Sequence, residues 1–487
     1  MIKNLSTLLL LAFVNVNLSD AISKELNHNE NQERYQVVNV IIKGNNITKD
    51  AIILRELAIK KWGVYWDNEI EGLIIESKNN LTNTNLFNFI TIEYKLSDDE
   101  ITVIIEVVER WYVWPYPILE ISERNFNVWW EEFQSSNYSD FSRLNYGASL
   151  NIENFRGLDE LLMIKFRRGF KEHYLFRYEA PYINNKKTLG INSYIEIFRR
   201  KKTYFKTENN HLVYFEDTTN NSYTSRELLL NLELLYKSSI KTKHKLKFNF
   251  HQSIVNAAIT FLNSNYLTED GTQYPDSIGS FYKVSYQFIY ENRDNNVYPL
   301  EGDYLNFEIG KNFSLKSSIN HIEFNSHLEK HIKLSKDLYI GTSFSSRITT
   351  MHFPAYFSSQ ALGFDDYVRG YEFYVIDGRN YYLSKTAIKY ALIKKRDLNI
   401  PYIKKKQFSK SHFSVYATIF SDLGYTKNNE NHFENSLANS MLWGRGLSID
   451  YVTYYDKMLR IEFSINGLGE KGVFLHFSSP FGETNKR

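Results

Sequence analysis

The segment His321–Lys333 reads HIEFNSHLEKHIK. Its odd-numbered positions carry polar or charged side chains, whereas Ile322, Phe324, Leu328 and Ile332 stand at even-numbered positions. Successive side chains of a β-strand point to opposite faces, so a strand here has one apolar face and one polar face. Transmembrane barrel strands show this pattern because one face meets lipid and the other meets a polar lumen.

The same alternation recurs from Pro115 to the C-terminus, with clear examples in Lys243–His251, Phe413–Asp422 and Leu459–Ile465. About seventeen such segments can be counted, and we expect sixteen strands because single-chain bacterial barrels have even strand numbers. No run of about 18 apolar residues occurs, so helical membrane spans are not expected. Residues 115–487 are therefore predicted to form an all-β transmembrane antiparallel barrel.

Composition and the N-terminal residues favour an exported protein. Residues 1–21 combine a basic start at Lys3, an apolar run from Leu8 to Val14 and small residues up to Ala21, which is typical of a secretory signal peptide. The chain has 36 Tyr and 34 Phe but no Cys, which excludes disulfides and thiolate sites. A net charge of +2 argues against a nucleic-acid binder, which needs many cations to neutralise phosphates.

Residues 35–110 have a different pattern and are predicted to form a small α+β domain. The expected elements are a strand at Val37–Ile42, helices around Ile53–Ala58 and after Asp67, and strands at Phe89–Leu96 and Ile101–Val108. We expect Phe89–Leu96 to lie at an edge of the sheet, where free backbone groups can take up an extended chain.

This module resembles a POTRA domain, the periplasmic polypeptide-transport module, including the Gly44-Asn45 turn after its first strand. The rest of the chain resembles the barrel of the outer-membrane assembly-factor superfamily, of the BamA/TamA kind. The motifs that carry this resemblance are, in order, Asn154–Gly157, Tyr178–Tyr182, Tyr298–Gly302, Leu362-Gly363 with Val368–Tyr371, Phe420–Gly424 and the terminal Val473–Phe481. BamA and TamA carry several POTRA domains and this chain has room for one, so their cargo cannot be carried over.

The resemblance implies that the loop containing Val368, Arg369, Gly370 and Tyr371 folds back into the lumen. A guanidinium inside a barrel needs an anionic partner, because an unpaired charge in partly dry surroundings is costly. The alternation turns three carboxylates inward as candidate partners of Arg369, namely Asp422, Asp450 and Glu462. We rank Asp422 first because it also matches the Phe-x-Asp-x-Gly motif of the superfamily.

Barrel closure joins the first predicted strand, Tyr116–Arg124, to the last, Gly472–Phe481. Eight prolines occur in the chain, and Pro115, Pro117 and Pro480 lie in or beside these two strands. Proline cannot donate a ladder hydrogen bond, so we predict a weak seam here. The predicted seam residues are Pro115, Pro117, Ile118, Leu475, Phe477 and Pro480. The alternative is that the prolines merely mark strand ends.

No catalytic residues are predicted, because the sequence has no phosphate loop, nucleophile elbow or Cys/His cluster. His327 and His331 have the spacing of a zinc-binding helix, but Glu does not directly follow the first His, and in a strand these side chains point into the lumen. We therefore predict no enzyme, no metal site and no cofactor.

The resemblance implies insertion or translocation of proteins at the bacterial outer membrane, with the N-terminal domain in the periplasm. The implied partners are the outer-membrane lipid bilayer, unfolded or β-strand client proteins and periplasmic accessory proteins; nucleic acid is not among them. The alternative is a passive outer-membrane pore or scaffold protein that uses the same barrel.

Overall fold

The structure is a computed structural model that describes residues 33–121, 126–139, 144–217, 219, 222–268, 277–315, 319–351, 355–403, 408, 410–428, 435–453 and 457–478. The described chain divides into two compact units. One contains residues 33–43, 57–78 and 90–107, and the other contains residues 44–56, 79–89 and the described residues from 108 onward. Among all of these residues, no helix is both long enough and apolar enough to cross a membrane.

The N-terminal module has the predicted elements and one additional short strand. Its strands are β1 (Arg34–Lys43), β2 (Val64–Trp66), β3 (Phe87–Ser97) and β4 (Glu100–Glu109), and its helices are α1 (Asp50–Glu56) and α2 (Asp67–Asn83). The strands form one sheet in the order β2-β1-β4-β3, in which β1 runs parallel to β4 and antiparallel to β2. Strand β3 thus lies at an edge of the sheet, which is the position expected for Phe89–Leu96.

Alternation along β4 builds the apolar core of the first unit. Ile101, Val103 and Ile105 are fully buried, whereas the residues between them are only partly buried. Val37 in β1 and Ile70 in α2 are fully buried as well. Each buried side chain of this size contributes about 1.5–3 kcal/mol, so this apolar face is a main source of the stability of the module.

The second unit is dominated by one antiparallel sheet. In chain order its strands are β5 (Val113–Ile121), β6 (Leu144–Phe155), β7 (Glu160–Gly169), β8 (Lys171–Ala180), β9 (Leu189–Arg200), β10 (Lys202–Glu208), β11 (His211–Glu216), β12 (Ser225–Lys237), β13 (Thr242–Val255), β14 (Ile278–Glu291), β15 (Gly302–Phe313), β16 (Asn320–Lys333), β17 (Leu338–Thr349), β18 (Gln360–Leu362), β19 (Ile376–Asp377), β20 (Asn380–Asn399), β21 (Lys410–Lys427), β22 (Met441–Thr453), β23 (Lys457–Ile465) and β24 (Lys471–Ser478).

All of these strands except β10, β11, β18 and β19 belong to a 16-stranded sheet. Within it each strand pairs with the sheet strands that come before and after it in the chain, and β5 and β24 stand at the two ends of the order. This is the strand number expected for the barrel. The faces also follow the predicted alternation. In β21, Ser414, Tyr416 and Thr418 are buried, whereas Ile419 is 60% exposed. The polar face therefore lines the interior and the apolar face points outward.

Some elements differ from the sequence-based expectation. Helices α3 (Phe126–Ser135) and α4 (Ala257–Leu262), and the hairpins β10–β11 and β18–β19, were not predicted. The first barrel strand begins at Val113 and not at Tyr116, because Val113 already pairs with Ile152 of β6. The last strand begins at Lys471, one residue before the predicted start. The predicted ends of these two strands, Arg124 and Phe481, lie outside the described residues. Pro480 and the signal peptide at residues 1–21 lie outside the described residues.

Candidate functional site

The loop between β17 and β20 turns back on itself through the small hairpin β18–β19. Its turn begins at Gly363, whose φ is +98° and whose N–H donates to the carbonyl of Asp366 at 2.8 Å. A Cβ at this position would lie 2.1 Å from the carbonyl oxygen of Tyr374. Both the backbone conformation and the close approach require glycine here.

Arg369 forms a two-pronged ion pair with Asp422 of β21. Its Nε lies 2.8 Å from Asp422 Oδ2, and its Nη2 lies 2.5 Å from Oδ1. The backbone N–H of Arg369 also donates to Oδ2, at 3.2 Å. The guanidinium carbon stands 3.7 Å from the ring centre of Phe420, and both Arg369 and Asp422 are buried. A fork of charge-assisted bonds on a planar group fixes the direction of the loop as well as its position.

Glycines in two neighbouring strands let the loop approach the sheet this closely. A Cβ on Gly424 of β21 would lie 2.4 Å from Val368 Cγ2, and one on Gly444 of β22 would lie 1.8 Å from the carbonyl oxygen of Arg369. Gly444 is the direct cross-strand partner of Asp422. Asp422 and the space left beside it by Gly444 therefore form one docking place for the Val-Arg-Gly-Tyr segment.

The same segment holds the turn between the last two strands. Asn466 Nδ2 donates to the carbonyl of Gly370 at 3.0 Å, and Tyr371 Oη accepts from the N–H of Gly467 at 3.0 Å. Tyr374 Oη donates to Glu470 Oε1 at 2.7 Å. Because Arg369 is held by β21, the loop ties β21 to the β23–β24 hairpin.

The other two candidate partners of Arg369 have different surroundings. Asp450 accepts two bonds from Arg460, at 2.7 and 3.0 Å, and one from Tyr298 Oη at 2.8 Å. Tyr298 belongs to the Tyr298–Gly302 turn between β14 and β15, so Asp450 links this motif to the wall of the last strands. Glu462 is fully buried and lies 3.9 Å from His476 Nε2 of β24.

The loop contributes a further acid next to Glu462. Glu372 is outside the strands, and its Oε2 accepts from the N–H of Gly370 at 2.8 Å. Its Oε1 lies 3.7 Å from His476 Nε2. Burial, together with the nearby Glu462 carboxyl, raises the pKa of Glu372 to about 8. Neither Glu372 nor His476 was singled out from the sequence.

The predicted seam residues lie on the two terminal strands. Pro115, Pro117 and Ile118 pair with Leu150, Ala148 and Gly147 of β6, and Leu475 and Phe477 pair with Ile461 and Leu459 of β23. Pro480 lies outside the described residues. The strength of the seam therefore stays a prediction.

Asn127, which was not singled out from the sequence, is hydrogen-bonded to the backbone of the last strand. Asn127 of α3 accepts from the N–H of Leu475 through Oδ1 at 3.0 Å and donates through Nδ2 to the carbonyl of Leu475 at 3.3 Å. Both backbone groups of Leu475 are thus bonded to one side-chain amide. A polar residue at the start of an unpredicted helix carried no sequence signal for this contact.

Comparisons with known proteins agree with this architecture. The POTRA family model, described as "Surface antigen variable number repeat", matches residues 35–110. No curated protein sequence matches the chain. CdiB from Escherichia coli is similar in structure, with 11% identity and a TM-score of 0.52 over 91% of this chain and 75% of that one.

Two further structures are BamA from Haemophilus ducreyi lacking POTRA domains 1–3 and CdiB from Acinetobacter baumannii. The first has 14% identity and a TM-score of 0.49 over 91% of this chain and 84% of that one. The second has 12% identity and a TM-score of 0.46 over 92% and 73%. With the family-model match and the likeness to CdiB from Escherichia coli, the fold is established as a POTRA-like α+β domain followed by a 16-stranded antiparallel barrel.

Proposed function

We propose that this chain inserts or translocates proteins at the bacterial outer membrane, with its POTRA-like domain in the periplasm. Its partners are then the lipid bilayer, unfolded or β-strand client proteins and periplasmic accessory proteins. The observation that carries the proposal is the bonding of Leu475, whose backbone N–H and C=O are both held by the Asn127 amide. The exposed, apolar outer face of the sheet supports a membrane location.

The terminal strand is thus bonded, at Leu475, by a group that a client strand can replace. An unpaired backbone group in hydrocarbon costs several kcal/mol. When the seam opens, its backbone hydrogen bonds must therefore be replaced by hydrogen bonds to the client strand. A side-chain amide places an NH2 donor beside a carbonyl acceptor, and can therefore bond both backbone groups of one residue as a neighbouring strand residue does. Releasing one amide requires less rearrangement than unzipping a strand pair.

The lengths of the terminal strands also favour this site. Among the described residues β5 has 9 and β24 has 8, whereas β20 and β21 have 20 and 18. Short strands limit the number of seam bonds. Pro115 and Pro117 further remove two donors from one edge of β5, since residues two apart in a strand direct their N–H groups to the same side.

The edge strand β3 of the module is the proposed first docking place for a client. An extended chain can add to a sheet edge through main-chain bonds with little dependence on sequence. This supports a binding role for Phe89–Leu96. Proline substitution at Thr91 and at Glu93 should weaken capture of an unfolded barrel protein by the purified chain. Proline at the same two-residue spacing in the interior of β4 is unsuitable as a control because it would unfold the domain, so alanine at Thr91 and Glu93 serves instead.

An open pore is the less favoured alternative because the barrel holds an apolar cluster. Leu362, Val368 and Tyr371 of the loop are buried with Leu383 of β20 and Leu442 of β22. A water-filled channel has a polar interior. The loop therefore fills part of the lumen with apolar contacts.

The decisive experiment locks the seam. Cysteines introduced at Ile118 and Leu475 are the sole thiols of the chain, since the wild type has none. The matched control carries cysteines at Ala148 and Phe166, which are cross-strand partners in β6 and β7. In cells depleted of the wild-type protein, the oxidised seam pair should lower the level of other folded barrel proteins, and reductant should restore it. The control pair should leave that level unchanged.

Full activity of the oxidised seam pair overturns the seam mechanism. A second readout separates the pore alternative from it. If depletion leaves every other barrel protein at its normal level and changes only the uptake of small solutes, the chain is a pore.

A further inference from the structure

Three side chains from distant parts of the sequence converge beside the last strand. They are Glu372 of the loop, Glu462 of β23 and His476 of β24, and one ligand atom from each lies within 4.8 Å of the others. His476 Nε2 is 3.7 Å from Glu372 Oε1 and 3.9 Å from Glu462 Oε2. These gaps are too long for hydrogen bonds, whose N···O distances reach about 3.2 Å.

Glu462 makes this cluster unusual. Its side chain is fully buried, and neither carboxylate oxygen has a hydrogen-bond partner among the described residues. A buried carboxylate is expected to be paired or to coordinate a metal, because transfer of an isolated charge out of water is very costly. Its Oε2 faces Nε2 of His476 at 3.9 Å.

The arginines near Glu462 are already engaged. Arg369 is bonded to Asp422, and Arg460 to Asp450. The ammonium of Lys385 lies 4.5 Å from the ring centre of Tyr367. Within each pair the guanidinium neutralises its carboxylate, and Glu372 and Glu462 both lie beside the imidazole of His476.

His476 is oriented as a metal ligand is. Its Nδ1 lies 3.2 Å from Tyr367 Oη, and the two rings stack at 21° with centres 5.9 Å apart. A partner on one ring nitrogen sets the tautomer and directs the other nitrogen, here Nε2, toward the acids. Glu372 is oriented likewise, since its Oε2 is bonded to the N–H of Gly370 and its Oε1 faces the cluster.

We propose that Glu372, Glu462 and His476 form a binding site for a divalent cation of the zinc type, which joins the loop to the last hairpin. One imidazole and two carboxylates suit zinc, whose bonds to N and O measure about 2.0–2.2 Å. Two such ligands at a tetrahedral angle lie about 3.3 Å apart. The two gaps to His476, 3.7 and 3.9 Å, therefore need to close by about half an ångström. Calcium fits less well because it takes about 6–8 oxygen ligands. Sequence spacing gave no sign of the site because its ligands come from three separate segments.

A second His/Glu cluster in the barrel provides the control. Glu329 accepts from His327 and His331 at 2.8 and 2.9 Å and also pairs with Arg293 at 2.9 Å. Both of its oxygens are thus occupied by protein donors. The residue types are the same as in the proposed site, but here Arg293 supplies the positive charge that pairs with the carboxylate.

The test is zinc titration of the full-length chain, purified in detergent without a polyhistidine tag and treated with a chelator. Calorimetry and metal analysis should give one Zn²⁺ per chain. Glu462→Gln, which keeps the shape of the side chain, and His476→Gln should each weaken binding at least tenfold. Tyr367→Phe should weaken it about tenfold, as expected for a group that orients a ligand. His327→Gln should bind like the wild type.

Zinc should also raise the temperature at which the wild-type barrel unfolds, and should not do so for Glu462→Gln. Far-ultraviolet circular dichroism establishes that each variant is folded before titration. Absence of zinc binding at 100 times the protein concentration, or binding that Glu462→Gln leaves unchanged, overturns the site. The readout is metal binding, so it is independent of whether the chain transports proteins.

Discussion

Two walls of the barrel present carboxylates to the lumen, and they differ in that one acid of the second wall is neutralised from outside the strands. On the wall of β13–β16, Glu308 pairs with Lys247 and Lys283 at 2.9 and 3.1 Å, and Glu323 pairs with Lys283 at 2.9 Å. These residues belong to four consecutive strands, and each pair joins strands that are adjacent or two apart, so register alone brings them together. On the wall of β21–β24, Asp422 is neutralised by Arg369 of the loop, which is far away in the sequence.

The two walls differ in how many cations neutralise an acid and in where those cations come from. A carboxylate with two cations in neighbouring strands retains one if the other is lost. Asp422 depends on a single loop arginine, so the stability of the barrel depends on the position of the loop. Neither carboxylate oxygen of Glu462 has a hydrogen-bond partner among the described residues. We therefore expect conformational change and ligand binding to act on the wall that holds the loop and the last hairpin.

The largest effect is expected from breaking the loop pair. Arg369→Ala or Asp422→Ala leaves one buried charge unpaired and should cost about 3 kcal/mol. Val368 is 1% exposed in the wild type, so a cysteine introduced there should be protected from reagents. When Arg369→Ala or Asp422→Ala releases the loop, this thiol should react rapidly with a maleimide. Urea unfolding in lipid vesicles measures the free energy.

The double mutant should be little less stable than either single mutant, because the second substitution removes the charge that the first left unpaired. Simple additivity of the two free energies in the double-mutant cycle contradicts the pairing. Arg369 would then act only as a turn residue.

The next effect comes from closing the gap under the loop. Gly444→Ala places a Cβ 1.8 Å from the carbonyl oxygen of Arg369, so the loop must shift, at a cost of about 1–3 kcal/mol. Gly310→Ala is the same change on the wall of β13–β16, where the nearest atom is Cε of the flexible Lys283 side chain at 2.8 Å. In the Val368→Cys background, Gly310→Ala should therefore leave the rate of the maleimide reaction unchanged. Equal rates for the Gly444→Ala and Gly310→Ala variants would show that docking on Gly444 is unimportant.

A smaller effect is expected for the wall of β13–β16. Lys283→Met removes the cation shared by Glu308 and Glu323, but Glu308 keeps Lys247 and Glu323 keeps a bond from Asn325 at 2.8 Å. The loss in unfolding free energy should be about 1–2 kcal/mol, less than for Asp422→Ala. A loss as large as that of Asp422→Ala would mean that the two walls do not differ in redundancy.

The smallest effect is expected at the end of the same wall. Lys333 of β16 lies 3.6 Å from Glu301, and both side chains are about half exposed, at 48% and 53%. Exposed pairs of this kind contribute about 0–1 kcal/mol and are screened by salt. Lys333→Ala should shift the unfolding midpoint by no more than this, and the shift should disappear at high salt.

Much of the fold could be predicted from the sequence because each barrel strand has an apolar outer face and a polar inner face. That arrangement imposes alternation with period two, and alternation decides which residues point inward. It placed Asp422, Asp450 and Glu462 on the buried face, where the structure also has them. Helix α3 was missed because its residues lie between two strands without an alternating pattern, and its aromatic side chains are equally compatible with a loop.

The site itself was only partly accessible from the sequence. Alternation determines the face of a side chain but not its partner. The assignment of Arg369 to Asp422, of Asn127 to the backbone of Leu475 and of Glu372 and His476 to Glu462 depends on the path of the loop and on strand register. These contacts join segments far apart in the sequence, so the tertiary structure alone brought them within bonding distance.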